Sequence, residues 1–224
     1  MTPADLATLR ADDWFGRIAP ERQAALLEAA EARTVAAGTR LYRAGDGPNG
    51  LWAVLEGEVR LKGYPAAGLE FLVPILRPGS WFGETSTLDG LPRPTDAIAI
   101  GPARLLHLSM TAVARATAAA PLLYRDLAVL ACAHQRTALG FLAQTVAHPV
   151  GVRLALLLAS LSQEGRRVVV IRQDELATMV GVSRQTLNRR LKALEREGVL
   201  SLAYAQIKVL DLARLLADSP SESR

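Results

Sequence analysis

Residues 174–196 most narrow what this chain can fold into. Asp174-Glu-Leu-Ala-Thr-Met-Val180 carries Leu176, Ala177 and Val180 on one helical face. Leu187, Leu191 and Leu194 repeat that period in the run that begins at Arg184. Between the two runs lies Gly181-Val-Ser183. Gly181 permits a sharp turn, because glycine tolerates the left-handed backbone, and Ser183 can cap the second helix. Two short amphipathic helices joined in this way form a helix-turn-helix. The segment after it, from Gly198 to Leu210, reads as a β-hairpin, which predicts a winged form of that motif.

The polar side of the second helix is as specific as its apolar side. Helix periodicity places Arg184, Gln185, Asn188 and Arg189 on the exposed face near its start. In a helix-turn-helix those residues meet base edges in the major groove of double-stranded DNA. Arginine pairs bidentately with guanine O6 and N7, and glutamine with adenine N6 and N7. Ser183, Thr186 and the helix N-terminus suit phosphate oxygens, with Gln173 and Tyr204 as further phosphate candidates. Charge agrees. Residues 1–148 carry equal numbers of basic and acidic groups, so the whole net charge of +4 falls in residues 149–224. That asymmetry is expected where only one part meets a polyanion.

The rest of the chain changes texture twice. Residues 1–35 read as helical, with Leu6, Leu9, Trp14, Phe15, Ile18, Leu26 and Leu27 at turn spacing. From Gly38 to Leu108, short apolar runs alternate with Gly- and Pro-rich turns, the pattern of an antiparallel sandwich or barrel. From Pro121 to about Ala147 one long helix is predicted, with Leu123, Leu127, Leu130, His134, Thr137 and Phe141 as a heptad-like stripe. On periodicity the stripe fits two arrangements, packing on its own β-domain or a seam with a second subunit. Pro149-Val-Gly151 reads as a hinge. The expected division is a β-domain over 1–120, a long helix over 121–148 and a winged helix over 149–224.

Half the residues are apolar, which excludes a disordered chain, and the longest apolar run is far below the roughly 20 residues that span a bilayer. The first residues, Met-Thr-Pro-Ala-Asp, lack the basic and apolar regions of an export signal. The single cysteine, Cys132, fits a reducing cytoplasm and reads as a small buried residue. It also excludes an iron–sulfur cluster held by one chain, which needs about four cysteines. His107, His134 and His148 are scattered, and His107 is expected to pack within a strand. A metal-dependent enzyme on a cupin-like roll would need clustered histidines and carboxylates, and the β-region has one histidine.

Gly181-Val-Ser-Arg-Gln-Thr-Leu-Asn-Arg189 resembles the turn and recognition helix of the cyclic-AMP-receptor/fumarate-nitrate regulator (Crp/Fnr) family. Trp81-Phe-Gly-Glu-Thr-Ser-Thr-Leu-Asp-Gly-Leu-Pro-Arg93 looks like the phosphate-cassette stretch of its β-roll, and Gly38, Gly45, Asp46, Gly57, Pro78 and Gly79 fall where its turns do. The resemblance implies an α+β protein with an N-terminal antiparallel β-roll of the cyclic-nucleotide-binding type. A long dimerisation helix and a C-terminal winged helix-turn-helix would follow. It implies a cytoplasmic, homodimeric transcription regulator paired through 121–148, acting with RNA polymerase, and not an enzyme. Arg184, Gln185 and Arg189 match the family's three base-reading positions. Gln185 departs from the commoner Glu, so a half-site related to TGTGA is expected with altered inner positions.

The same resemblance implies an effector pocket. Gly83 and Glu84 match the pair that contacts ribose, and Arg93 matches the residue that holds the cyclic phosphate. Thr137 falls near the helix position that touches adenine. The residue after Arg93 is Pro94, which has neither hydroxyl nor backbone N–H, and this argues against cyclic AMP. Thr95 is expected by strand alternation to point to the other side. Two readings of the roll follow: a small anionic effector, with cyclic AMP the less favoured candidate, or a structural ion pair of Glu84 with Arg93 inside an empty roll. For the output, the alternative to a DNA-binding regulator is a cyclic-nucleotide module that does not bind DNA.

Overall fold

Thr2 and Asp5 cap each other's backbone N–H groups (2.7 and 3.2 Å) and start helix α1 (Pro3–Arg10). Pro20 opens α2 (Pro20–Glu28), where its missing N–H costs nothing. The computed structural model describes residues 1–66, 69–72, 75–162, 168–203 and 205–217. Strands β1 (Glu31–Val35), β2 (Arg40–Tyr42), β3 (Leu51–Glu56), β4 (Val59–Ala66), β5 (Leu69–Leu72) and β6 (Trp81–Phe82) follow. Helix α3 (Glu84–Asp89) precedes β7 (Asp96–Ala99) and β8 (Ala103–Leu108), and α4 (Met110–Ala119) leads into α5 (Leu123–Ala147). The strands form two antiparallel sheets, ordered β1-β8-β3-β6 and β2-β7-β4-β5.

The expected α+β architecture with an antiparallel roll is what the chain adopts. One correction concerns its start. The helical expectation for residues 1–35 ends at Glu28, and 31–35 is an edge strand paired to β8. The apolar helical period stops at Leu27, and four of the five β1 residues are exposed, so pattern gave no strand signal there.

Strand β3 shows why the roll needs helices on its outside. Leu51, Ala53 and Leu55 join a cluster with Leu9, Phe15 and Trp81, while Trp52 and Val54 join Tyr42, Phe82 and Leu105 in another. Both faces are therefore buried. The first cluster also takes in Leu123, Leu127 and Leu130 of α5. Trp14 Nε1 donates to the Asp126 carbonyl and Arg22 Nε to its carboxylate, each at 2.6 Å, which fixes the first turns of α5.

This corrects the reading of the stripe as a dimer seam. Leu123, Leu127 and Leu130 are occupied by the chain's own core, and the side chain of Phe141 lies outside the described residues. Val129 and Cys132 lie on the opposite side of α5 and are exposed, as is Leu122 just before the helix, so Cys132 is not the buried residue expected.

The chain divides into two compact units, 1–136 and 137–224, with the boundary inside α5. The second unit holds α6 (Val150–Leu161), β9 (Val168–Val170), α7 (Gln173–Val180), α8 (Arg184–Arg196), β10 (Leu200–Ala203), β11 (Gln206–Val209) and α9 (Leu212–Ala217). Its sheet order is β10-β11-β9. Pro149, expected at a hinge, is the N-cap of α6. The predicted inner-face residues of both motif helices are buried, from Leu176 to Leu194.

Asp5 gives this fold an acid-sensitive joint. It is buried, and Arg104 bonds both its carboxylate oxygens and also Glu56. The Arg104 bonds hold the Asp5 carboxyl well below the usual carboxylate range. A depressed folded value means that its stabilisation is present above the unfolded value, near 4, and is lost as pH falls through the folded one. Asp5→Asn is expected to lower stability at neutral pH and to flatten the decline below about pH 4. Urea unfolding between neutral and acid pH measures both.

Candidate nucleic-acid interface and effector pocket

Helix α7 ends because Gly181 takes φ of 74°, and its N–H turns back to the carbonyls of Ala177 and Thr178. Arg153 of α6 braces the turn, with Nε donating to the Val180 carbonyl (3.0 Å) and Nη1 to that of His148 (3.2 Å). Sequence reasoning missed Arg153, since nothing local marks it. Ser183 is the N-cap of α8 as expected, its Oγ accepting from Thr186 N–H at 3.2 Å and lying 3.0 Å from Thr186 Oγ1. The hairpin packs against the end of α8, where Glu195 accepts from Leu202 N–H at 2.9 Å.

On α8, Arg184, Gln185 and Arg189 are exposed. Asn188 departs from the expectation of full exposure. It is half-buried, and its Oδ1 is enclosed without a hydrogen-bond partner. At about 100° per residue it sits one step round from Leu187, on the flank of the apolar face. Thr186 and Gln173 are half-buried, and Tyr204 lies outside the described residues. A cleft between the start of α6 and α8 is lined by Gly151 from the first helix and by Thr186 and Arg189 from the second. Gly151 leaves room for Arg190, since a Cβ there would meet its guanidinium at 3.0 Å.

In the roll, Arg93 is buried and held by the chain's own acceptors. Nη1 donates to the Gly83 carbonyl at 2.6 Å, and Nη2 to Asn49 Oδ1 and the Gly50 carbonyl. Its guanidinium lies over the Tyr42 ring, 4.3 Å from the centroid. Burial lowers the affinity of Arg93 for its proton and raises the Tyr42 phenol. Thr95 lies beside the Tyr42 hydroxyl, so it belongs to the same cluster as Arg93. Asn49 also accepts from Trp52 Nε1 (3.2 Å) through its side chain and from His107 Nε2 (2.8 Å) through its carbonyl. His107 thus packs in the roll as expected, stacked on Trp52, and burial holds its pKa down.

Glu84 does not pair with Arg93. It is buried at the start of α3, and its Oε1 accepts from Nδ1 of His134 on α5 at 2.9 Å. That hydrogen bond raises the His134 pKa. Thr137, one turn further along α5, is exposed. Sequence spacing could have found His134, because it continues the stripe of Leu123, Leu127 and Leu130 on the face turned to the roll.

Comparison with known proteins fits both halves. Residues 32–119 match the cyclic nucleotide-binding domain and residues 152–217 the Crp-like helix-turn-helix domain. The "Cyclic AMP receptor protein" of Thermus thermophilus is 32% identical over 202 residues, spanning 90% of this chain and 94% of that one. The chain belongs to the Crp/Fnr family of transcription regulators. The "Transcriptional regulator SdrP" of the same organism is 33% identical over 199 residues, 82% of this chain and 92% of its own. A solved Crp/Fnr-family regulator, also from Thermus thermophilus, superposes with a TM-score of 0.70 at 31% identity, over 84% of this chain and 99% of that one. The protein is accordingly a DNA-binding transcription regulator and not an enzyme, and a nucleotide module without DNA output is not favoured.

Arg93 is a structural brace as placed here. Arg93→Ala would take the donor from the buried Gly50 carbonyl and one donor from that of Gly83, which Thr87 also bonds, and a loss of roughly 1–3 kcal/mol is expected. Denaturant unfolding of the variant against the parent measures it.

Proposed function

We propose that the regulator binds as a homodimer to a two-fold-symmetric operator and reads bases with Arg184, Gln185 and Arg189. The observation that carries this reading is the joint exposure of these three side chains on a helix whose start is fixed by Gly181 and Ser183. Asn188 contributes less, because its carbonyl oxygen is turned inward. Ser183, Thr186, Gln173 and Tyr204 are assigned to phosphates, and Gly151 at the start of α6 adds backbone N–H groups to that set. The half-site is related to TGTGA, with Gln185 altering its inner positions.

The functional division is a sensor over 1–120, a dimerisation helix over 121–148 and a DNA-binding domain over 149–224. The pairing face is that of Leu122, Val129 and Cys132, since the opposite stripe is used within the chain. RNA polymerase is the protein partner, and the cytoplasm is the compartment where both it and DNA are met. Among the described residues no helix is long and apolar enough to cross a membrane.

For the roll, a small anion must displace the chain's own acceptors from Arg93, and Pro94 offers it neither donor. The match to the cyclic nucleotide-binding domain allows a cyclic nucleotide in the roll, and we read cyclic AMP as the less favoured effector. Gly83, Glu84, Arg93 and Thr95 form a network that a small anionic effector would have to open, and Thr137 is kept as a further candidate for contact with it.

Selection from a pool of randomised duplex DNA tests the reading face. A two-fold-symmetric consensus with a steep salt dependence of affinity is expected, and recovery of no preferred sequence would sink the assignment. Arg184→Ala should cost roughly 1–3 kcal/mol on that operator and relax preference at one base pair per half-site. The pairing face is tested separately. Mild oxidation should link two chains through Cys132, and Val129→Asp should shift the sedimentation of the protein toward monomer. A monomeric parent contradicts the pairing.

A further inference from the structure

We propose that Glu84 and His134 form a proton-dependent latch that fastens α5 to the wall of the roll and sets operator affinity. Its output rests on the DNA-reading assignment above. The two residues stand on different elements, fifty positions apart in sequence, and meet at 2.9 Å. Glu84 is the first residue of α3, held in place by the left-handed Gly83, whose carbonyl is bonded by Arg93. Its side chain is 6% exposed, whereas that of His134 is 44% exposed. A carboxylate this buried needs a partner, and the imidazole beside it remains open to protons from solvent.

The groups that face His134 are both anionic, Glu84 from α3 and Asp12 from the turn after α1. Beyond Glu84 lie Arg93 and Tyr42, which interact with it through charge. Protonated His134 gives Glu84 an ion pair as well as a hydrogen bond, whereas neutral His134 can still donate from Nδ1 to the carboxylate but without the attraction between opposite charges. Because folding raises the His134 pKa, the latch is at full strength below the unfolded value, near 6.5. It weakens as pH rises through the folded one. The first turns of α5 are fastened independently by Trp14 and Arg22, so release of Glu84 frees the helix only beyond Leu130.

The test uses the full chain, with His134→Gln and Glu84→Gln. Imidazole proton resonances should show His134 titrating above the ordinary histidine value in the parent and lower in Glu84→Gln. The melting temperature of the parent should fall by about 2 °C or more, relative to either variant, between pH 6 and 8. Affinity for the selected operator should change with pH in the parent and much less in both variants. An ordinary His134 titration in both proteins, or the same melting slope in all three, overturns the latch. Operator affinity with the same pH dependence in parent and variants overturns its regulatory role. Failure to select any operator would strike the reading face and leave the titration and melting results to decide the latch.

Discussion

A guanidinium taken out of water must be surrounded by acceptors, and the β-roll is arranged round that requirement at Arg93. The acceptors come from the Asn49 and Gly50 loop and from Gly83 at the head of α3, with Tyr42 beneath the cation. Asn49 passes the constraint on to Trp52 and His107. Gly83 passes it to Glu84, and Glu84 to His134. One buried charge thereby links β-strands, the short helix α3 and the long helix into a single network. Removing the Arg93 side chain would take one donor from each of these acceptors.

The DNA-binding half is built on a shorter-range logic. Left-handed Gly181 stops α7, Ser183 starts α8, and Arg153 ties the turn to α6. With both helix ends fixed by local bonds, the leucines of α8 select one face for the core. The remaining face is left to Arg184, Gln185 and Arg189. A reading surface needs that rigidity, because a bidentate base contact tolerates little displacement.

Helix α5 meets two demands with two faces. Its leucine stripe closes the outer side of the roll, where β3 would otherwise leave Leu51, Ala53 and Leu55 in water. The opposite side keeps Val129 and Cys132 exposed. The heptad-like period was visible in the sequence, but a period does not say which neighbour fills it. The roll has an apolar wall to cover within the same chain, and it takes the stripe. Other features that misled sequence reasoning have similar causes. Strand β1 is an exposed edge with no apolar alternation, and Asn188 lies on a flank where one helical step separates core from solvent.

The sequence alone determined the winged helix-turn-helix, the short-strand roll, the long helix and the family, because each rests on local signals. Those signals are glycines at positive φ, a capping serine, apolar periods and motif spacing. The exposed trio on α8 was legible for the same reason. Only the tertiary structure decided the partners of the buried charges. Glu84 chose His134 over Arg93, Arg93 chose backbone carbonyls, and Asp5 chose Arg104. Those pairings join residues 10 to 99 positions apart, and they follow from which groups are desolvated together, a property of packing that no local pattern encodes.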